Sequence, residues 1–197
     1  MNKPIFVITG MSGSGKTTVA EYLQNTLHLK KVQTCTTRQR RDNEPENAYT
    51  FLSMNEFEEC IEKGEMLEYV RSFDNYYGTQ ISAIDSTQDY HILCLDWRGA
   101  ITLREQYGRQ AYIILMYIND IDCLNKRIAN RSSISEEEIA KRLKDFDKYQ
   151  PCADIHDYII DASMSIDDVN NVVRQLVDNA IYAHNNNNND NKNDNMK

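Results

Sequence analysis

Gly10-Met11-Ser12-Gly13-Ser14-Gly15-Lys16-Thr17 fits the spacing G-x-x-x-x-G-K-[ST], and its residue types answer the demands of holding a polyphosphate. The glycines let successive backbone amides turn inward around a β-phosphate, and the start of a following helix adds positive potential. Lys16 would bridge the β- and γ-phosphates. The Thr17 hydroxyl would bind Mg2+, and the run through Thr18 reads as the ATP-binding segment. The alternative is an ordinary glycine-rich turn before a helix. The motif says nothing about what accepts the phosphoryl group.

Such a loop needs a strand before it and a helix after it. Pro4 to Thr9 is short, β-branched and uninterrupted, as a strand buried on both faces of a parallel sheet should be. Runs at 92–96 and 112–118 share that character, and 158–160 is a weaker fourth. From Thr17 to His28, Val19, Leu23 and Leu27 recur on one helical face. Ser53 with Glu56, Ser135 with Glu138 and Ser165 with Asp168 are capping pairs, which place helices at 54–63, 136–149 and 166–183. Gly64 and Pro151 stop the first two. In the last, Val169, Val172, Val173, Leu176, Ala180 and Ile181 form a stripe for docking. Alternating strands and helices imply an α/β fold with a parallel sheet core flanked by helices.

The 197 residues suit one compact domain, and 41% hydrophobic with 26% charged residues is an ordinary globular balance. The net charge of −8 argues against nucleic acid or an anionic membrane as partner. Five scattered cysteines without a C-x-x-C pair read as reduced thiols in a cytoplasmic protein. The start lacks a signal peptide, and no run reaches the roughly 18 apolar residues of a membrane helix. The segment 33–83 is polar and tyrosine-rich, with Arg38, Arg40 and Arg41 close together, and reads as an inserted substrate lobe. A second polar stretch at 125–144, dense in lysine and arginine, should project over the site, within a lid taken as 125–147. The core is then 1–32, 84–124 and 148–183, and the Asn-rich 184–197 is expected to be a disordered tail.

Several further blocks follow in order: Thr36-Thr-Arg38-x-x-Arg41-x-x-Glu44, Tyr49-x-Phe51, Gly64-Glu-Met-Leu-Glu68, Asn75-Tyr-Tyr77-Gly78-Thr79, Asp96-Trp-Arg-Gly99, and Arg127 through Arg131 to Arg142. In these the chain resembles the guanylate kinase family over nearly all of 4–182. The resemblance implies a P-loop NTPase-type core with a monophosphate-binding lobe and a helical lid. It implies transfer from ATP, with Mg2+, to GMP and dGMP in purine nucleotide metabolism, by a monomer or small homo-oligomer. Arg38, Arg41, Tyr49 and Tyr77 would hold the acceptor phosphate, and Glu68 and Thr34 would read guanine, with Gly78 and Thr79 beside them. Asp96 would face the acceptor and organise magnesium or its waters. Arg131 and Arg142 would close over ATP and, with Lys16 and Arg38, neutralise the moving phosphoryl group.

Each role has a plainer alternative. An arginine cluster is commonly solvated surface, a lone Glu68 an exposed acid, and Asp96 a helix cap before Arg98. The chain departs from the family pattern at Arg40 and Asn43, where proline and glycine are usual, and at Cys94, where a second acid often stands. It also departs at Asp161, where asparagine is usual, and in a shorter loop before Tyr49. A ribose bisphosphate kinase and a non-catalytic peptide-binding module are the rival readings.

Overall fold

A computed structural model describes residues 3–42, 44–72, 74–84, 89–129, 140, 149–152 and 154–194. Its strands are β1 (Ile5–Gly10), β2 (Lys30–Lys31), β3 (Cys35–Thr36), β4 (Thr50–Phe51), β5 (Met66–Ser72), β6 (Asn75–Gln80), β7 (His91–Leu95), β8 (Ala111–Tyr117) and β9 (Tyr158–Asp161). Its helices are α1 (Lys16–Leu27), α2 (Met54–Glu62), α3 (Trp97–Tyr107), α4 (Ile121–Ala129) and α5 (Ile166–Asp194). No helix among the described residues is long and apolar enough to cross a membrane.

The core is a five-stranded sheet in the order β2-β7-β1-β8-β9, parallel throughout. All six residues of β1 are buried, because helices cover both faces and leave no wet side for polar alternation. Phe6 and Ile8 pack with Val19 and Leu23 of α1 and Val173 and Val177 of α5. Ile5 and Val7 point the other way, onto Ala100 and Leu103 of α3. Below the sheet, Asp157 accepts from Arg109 Nη1 at 3.0 Å and Ile113 N at 2.7 Å, and pairs with Arg104.

Segment 33–83 contains a second sheet, ordered β4-β3-β6-β5, which sequence patterning does not reveal. Two of its strands are only two residues long, and in β5 Glu68 turns inward where an apolar residue would mark the face. Helix α2 matches expectation: Ser53 and Glu56 form a complete capping box, and Gly64 follows with φ +68°. Its fully buried Phe57 stacks on Tyr76 at 5.0 Å. Strand β5 is fastened to the core, since Gln106 Nε2 donates to Leu67 O at 3.1 Å and Arg98 Nη1 to Arg71 O at 3.1 Å.

The last helix differs from expectation twice. Val172 is 38% exposed, while Val177, one helical turn beyond Val173, is buried: the buried face follows the four-residue step from Val169, and Val172 lies at its margin. The helical backbone also continues past the expected end at 183, to Asp194. Once a helix is docked, each added residue escapes the cost of nucleation. Tyr90 also holds the extension, donating to Asn185 Oδ1 at 2.7 Å and contacting the His184 ring. The expected helix at 136–149 lies almost wholly outside the described residues.

Candidate active site

The phosphate-loop motif sits between β1 and α1, as its mechanism needs. Gly10 has φ +144°, and a Cβ there would stand 2.5 Å from Met116 O. At Gly13 a Cβ would press on Ile128 at 3.1 Å and Leu124 at 3.3 Å, so α4 closes directly over the loop. Lys16 Nζ donates to Gly10 O at 2.6 Å and Met11 O at 2.9 Å, curling over the space its phosphate partners would take. Ser14 N donates to Met11 O at 3.2 Å, and the buried Ser14 Oγ finds no partner among the described residues. The residue capping α1 is Gly15, which has no side chain to offer. The first-turn amides are left to a ligand. Ser12 is partly exposed, and Thr17 and Thr18 are exposed, at this opening.

Asp96, at the end of β7, adopts its alternative reading as well. It caps α3 by accepting from Arg98 N at 3.0 Å, and takes Arg98 Nε at 2.8 Å and Tyr149 Oη at 3.1 Å. No cluster of three or more potential metal ligands occurs among the described residues. Magnesium keeps its waters and relies on substrate phosphates, so an exposed Thr17 hydroxyl beside a phosphate loop fits it. For Asp96 to bind the ion directly, Arg98 or Tyr149 would have to release an oxygen.

In the second sheet's segment, Arg38, Tyr49 and Tyr77 come together. The Arg38 guanidinium lies 5.2 Å from the Tyr49 ring centre and 5.8 Å from that of Phe51, and Tyr49 meets Tyr77 edge-on at 6.4 Å. Burial raises the Tyr49 pKa, with Arg38 opposing. Glu44, read from sequence only as part of a motif, grips Arg38 with both oxygens, at 2.8 and 2.7 Å. Burial works against the Arg38 charge, but the Glu44 bonds outweigh it and raise the arginine's pKa, while the same contact lowers that of Glu44. Arg41 is exposed, and its backbone N donates to Glu44 at 3.3 Å. Arg40 pairs with the exposed Glu46 at 3.5 Å, which offsets its extra charge.

Glu68 is no exposed acid. It is 4% exposed, accepts from Thr79 Oγ1 at 2.7 Å, and lies over Gly99. Burial pushes its pKa up to about 7, with Thr79 opposing and Asp96 adding to the rise. Gly78 makes this fit, because a Cβ there would meet Glu68 O at 2.7 Å and Met66 at 2.6 Å. Thr34 is half-buried just before β3, and its carbonyl accepts from Thr50 N at 2.9 Å. Cys94 directs its thiol at Lys16 O, 3.5 Å away, and burial raises its pKa to about 11. Asp161 accepts from Ser163 N at 2.9 Å at the end of β9. Arg131 and Arg142 lie outside the described residues. Sequence reasoning missed Tyr149 as a partner of Asp96; nothing in its local pattern marks it.

The family model described as guanylate kinase matches residues 1–180. The chain belongs to the guanylate kinase family. It is 32% identical over 177 residues to a guanylate kinase of Wolbachia from Brugia malayi, covering 86% of this chain and 91% of that one. It is 35% identical over 168 residues to that of Symbiobacterium thermophilum, covering 81% and 79%. The crystal structure of guanylate kinase from Anaplasma phagocytophilum superposes with a TM-score of 0.63 at 25% identity, covering 88% of this chain and 86% of that one. As a guanylate kinase family member the chain is an enzyme, a phosphotransferase that binds nucleotides, on a P-loop NTPase-like α/β fold.

Proposed function

We propose that the enzyme transfers the γ-phosphoryl group of ATP to GMP, giving ADP and GDP, and also accepts dGMP. The observation that carries this is the buried Glu68 carboxylate, held by Thr79 and seated on Gly99. Guanine offers a ring N–H and an exocyclic amine side by side to such a carboxylate, whereas adenine presents a bare ring nitrogen there. Thr34, just before β3, would assist. Arg38, Tyr49 and Tyr77, with Arg41, would take the acceptor phosphate, since arginine's fork matches phosphate and tyrosine hydroxyls donate to the same oxygens.

The phosphate loop Gly10 to Thr18 would hold ATP. Magnesium, held by Thr17 and the nucleotide with Asp96 nearby, would neutralise charge on the phosphates. No general base is needed, because the acceptor phosphate has a second pKa of about 6 and is already largely a dianion at neutral pH. Alignment and charge neutralisation by Lys16 and Arg38, with Arg131 and Arg142 of the lid, would supply the catalysis. The three-part division into core, lobe at 33–83 and lid at 125–147, cytoplasmic residence with reduced cysteines, and a place in purine nucleotide metabolism belong to the same reading. The test is ADP release measured with GMP, dGMP, AMP, CMP and UMP. GMP and dGMP should support turnover far above the rest, and equal rates with AMP would overturn the assignment.

A further inference from the structure

Arginine carries five N–H donors arranged along two usable edges. In Arg38 the end-on edge is filled: Nη1 and Nη2 meet the two oxygens of Glu44 at 2.8 and 2.7 Å. The outer hydrogen of Nη1 goes to Gln39 O at 2.8 Å. Among the described residues, nothing takes Nε–H or the second hydrogen of Nη2. These two run parallel along the side of the guanidinium and form a second fork for a tetrahedral oxyanion. The plane of that fork is set by Glu44 at one end and by the rings of Tyr49 and Phe51 along its face.

Glu44 is itself held. Its side chain is 14% exposed, its Oε2 also accepts from Arg41 N at 3.3 Å, and its backbone N donates to Arg41 O at 3.1 Å. The turn from Arg41 to Glu44 is thus tied at both ends.

We propose that Glu44 is a positioning residue: by occupying the end-on edge of Arg38 it presents the side edge, Nε–H and Nη2–H, to the phosphate of the acceptor nucleotide. This rests on the acceptor reading above. Glu44 touches no substrate in this role and carries no proton in the reaction. A carboxylate occupying the phosphate's own place would instead compete with the substrate, and its removal would tighten binding. The two arrangements give opposite signs.

The experiment is calorimetric titration of wild type, Glu44→Gln and Glu44→Asp with GMP and, separately, with guanosine, which offers the base without the phosphate. Wild type should bind GMP more tightly than guanosine; if it binds neither, the acceptor assignment itself fails. In Glu44→Gln, GMP affinity should fall about tenfold, the scale of one charge-assisted hydrogen bond, with guanosine unchanged. Glu44→Asp keeps the charge but shortens the reach, and should recover part of that loss. In steady state the loss in Glu44→Gln should appear in KM for GMP with KM for ATP unmoved. Tighter GMP binding, or equal weakening of GMP and guanosine in a mutant with wild-type thermal stability, would overturn the proposal.

Discussion

The carboxylate of Glu68 rests on the bare backbone of Gly99, so closely that a methyl group on Gly99 would stand 2.5 Å from Oε2. The pocket floor belongs to α3 of the core, and the carboxylate comes from β5 of the lobe. Gly99→Ala should displace the carboxylate, because Gly99 is fixed in a helix whose neighbour Leu95 already lies 3.5 Å from the new methyl. Overpacking of this kind costs about 1–3 kcal/mol. We expect guanosine affinity to fall about tenfold or more by calorimetry, with circular dichroism unchanged; wild-type affinity would refute the contact.

Guanine recognition should depend on pH around the Glu68 pKa of about 7. Only the ionised carboxylate accepts from both guanine donors. Below that pKa the empty site holds a proton that binding must expel, and guanosine affinity should drop, approaching about tenfold per pH unit. Above it, affinity should level off. Guanosine avoids the titration of the acceptor phosphate. A flat profile between pH 5.5 and 8 would show that Glu68 does not change charge on binding.

The same residue should set function against stability. Its folded pKa of about 7 lies above the ordinary 4.5. The protein is therefore better off below pH 4.5 and loses that advantage as pH rises through 7. Glu68→Gln removes the penalty: at pH 8 it should be more stable than wild type, by up to about 2–3 kcal/mol in urea denaturation, and at pH 4.5 no more stable. Its kcat/KM for GMP should fall about 10- to 150-fold. A mutant less stable at both pH values would argue against a buried ionised carboxylate.

Lys16→Ala should lower kcat by about 100-fold or more without unfolding the chain, because its ammonium would follow charge onto the transferring phosphoryl group. Its ammonium donates to Gly10 O and Met11 O. Stopped-time assays of ADP formation would settle it, and normal turnover would mean that the loop does not hold the reacting phosphates.

Away from the site, Asp157 joins Arg104, Arg109 and Ile113 N at the lower edge of the sheet. Arg104 is largely buried, its side chain 14% exposed. Asp157→Ala would leave that charge without its carboxylate, at a cost of about 3–5 kcal/mol. Urea denaturation should show this loss, with the nucleotide sites intact in the folded fraction.

The parts of the molecule legible in sequence are those whose local pattern has one physical meaning. The phosphate loop is one, since its glycines, lysine and threonine stand between a buried strand and a helix. Capping boxes are another, as at Ser53 and Glu56. The lobe sheet was illegible because β3 and β4 are two residues long and β3 pairs with a distant segment, as where Cys35 meets Gly78, while the longer β5 turns Glu68 inward in place of an apolar residue. The burial of Glu68 was illegible for a related reason: a carboxylate normally stays wet, and the residues that enclose it, Thr79 and Gly99, lie on other elements. Glu44 was visible as a letter in a motif, but its grip on Arg38 depends on a turn that no periodicity reports.

Strand β5 borders the core, where Arg98 and Gln106 bind its carbonyls, and β4 lies at the opposite margin of the lobe sheet. Under the acceptor reading proposed above, the base would be gauged at an anchored edge, and the phosphate by Arg38 and Tyr49 near the outer one. On that reading the lobe would work as a pair of callipers with one fixed jaw: a ligand too short to span from Glu68 to Arg38 would leave the outer jaw unloaded, so acceptor length would be checked before any phosphoryl group moved.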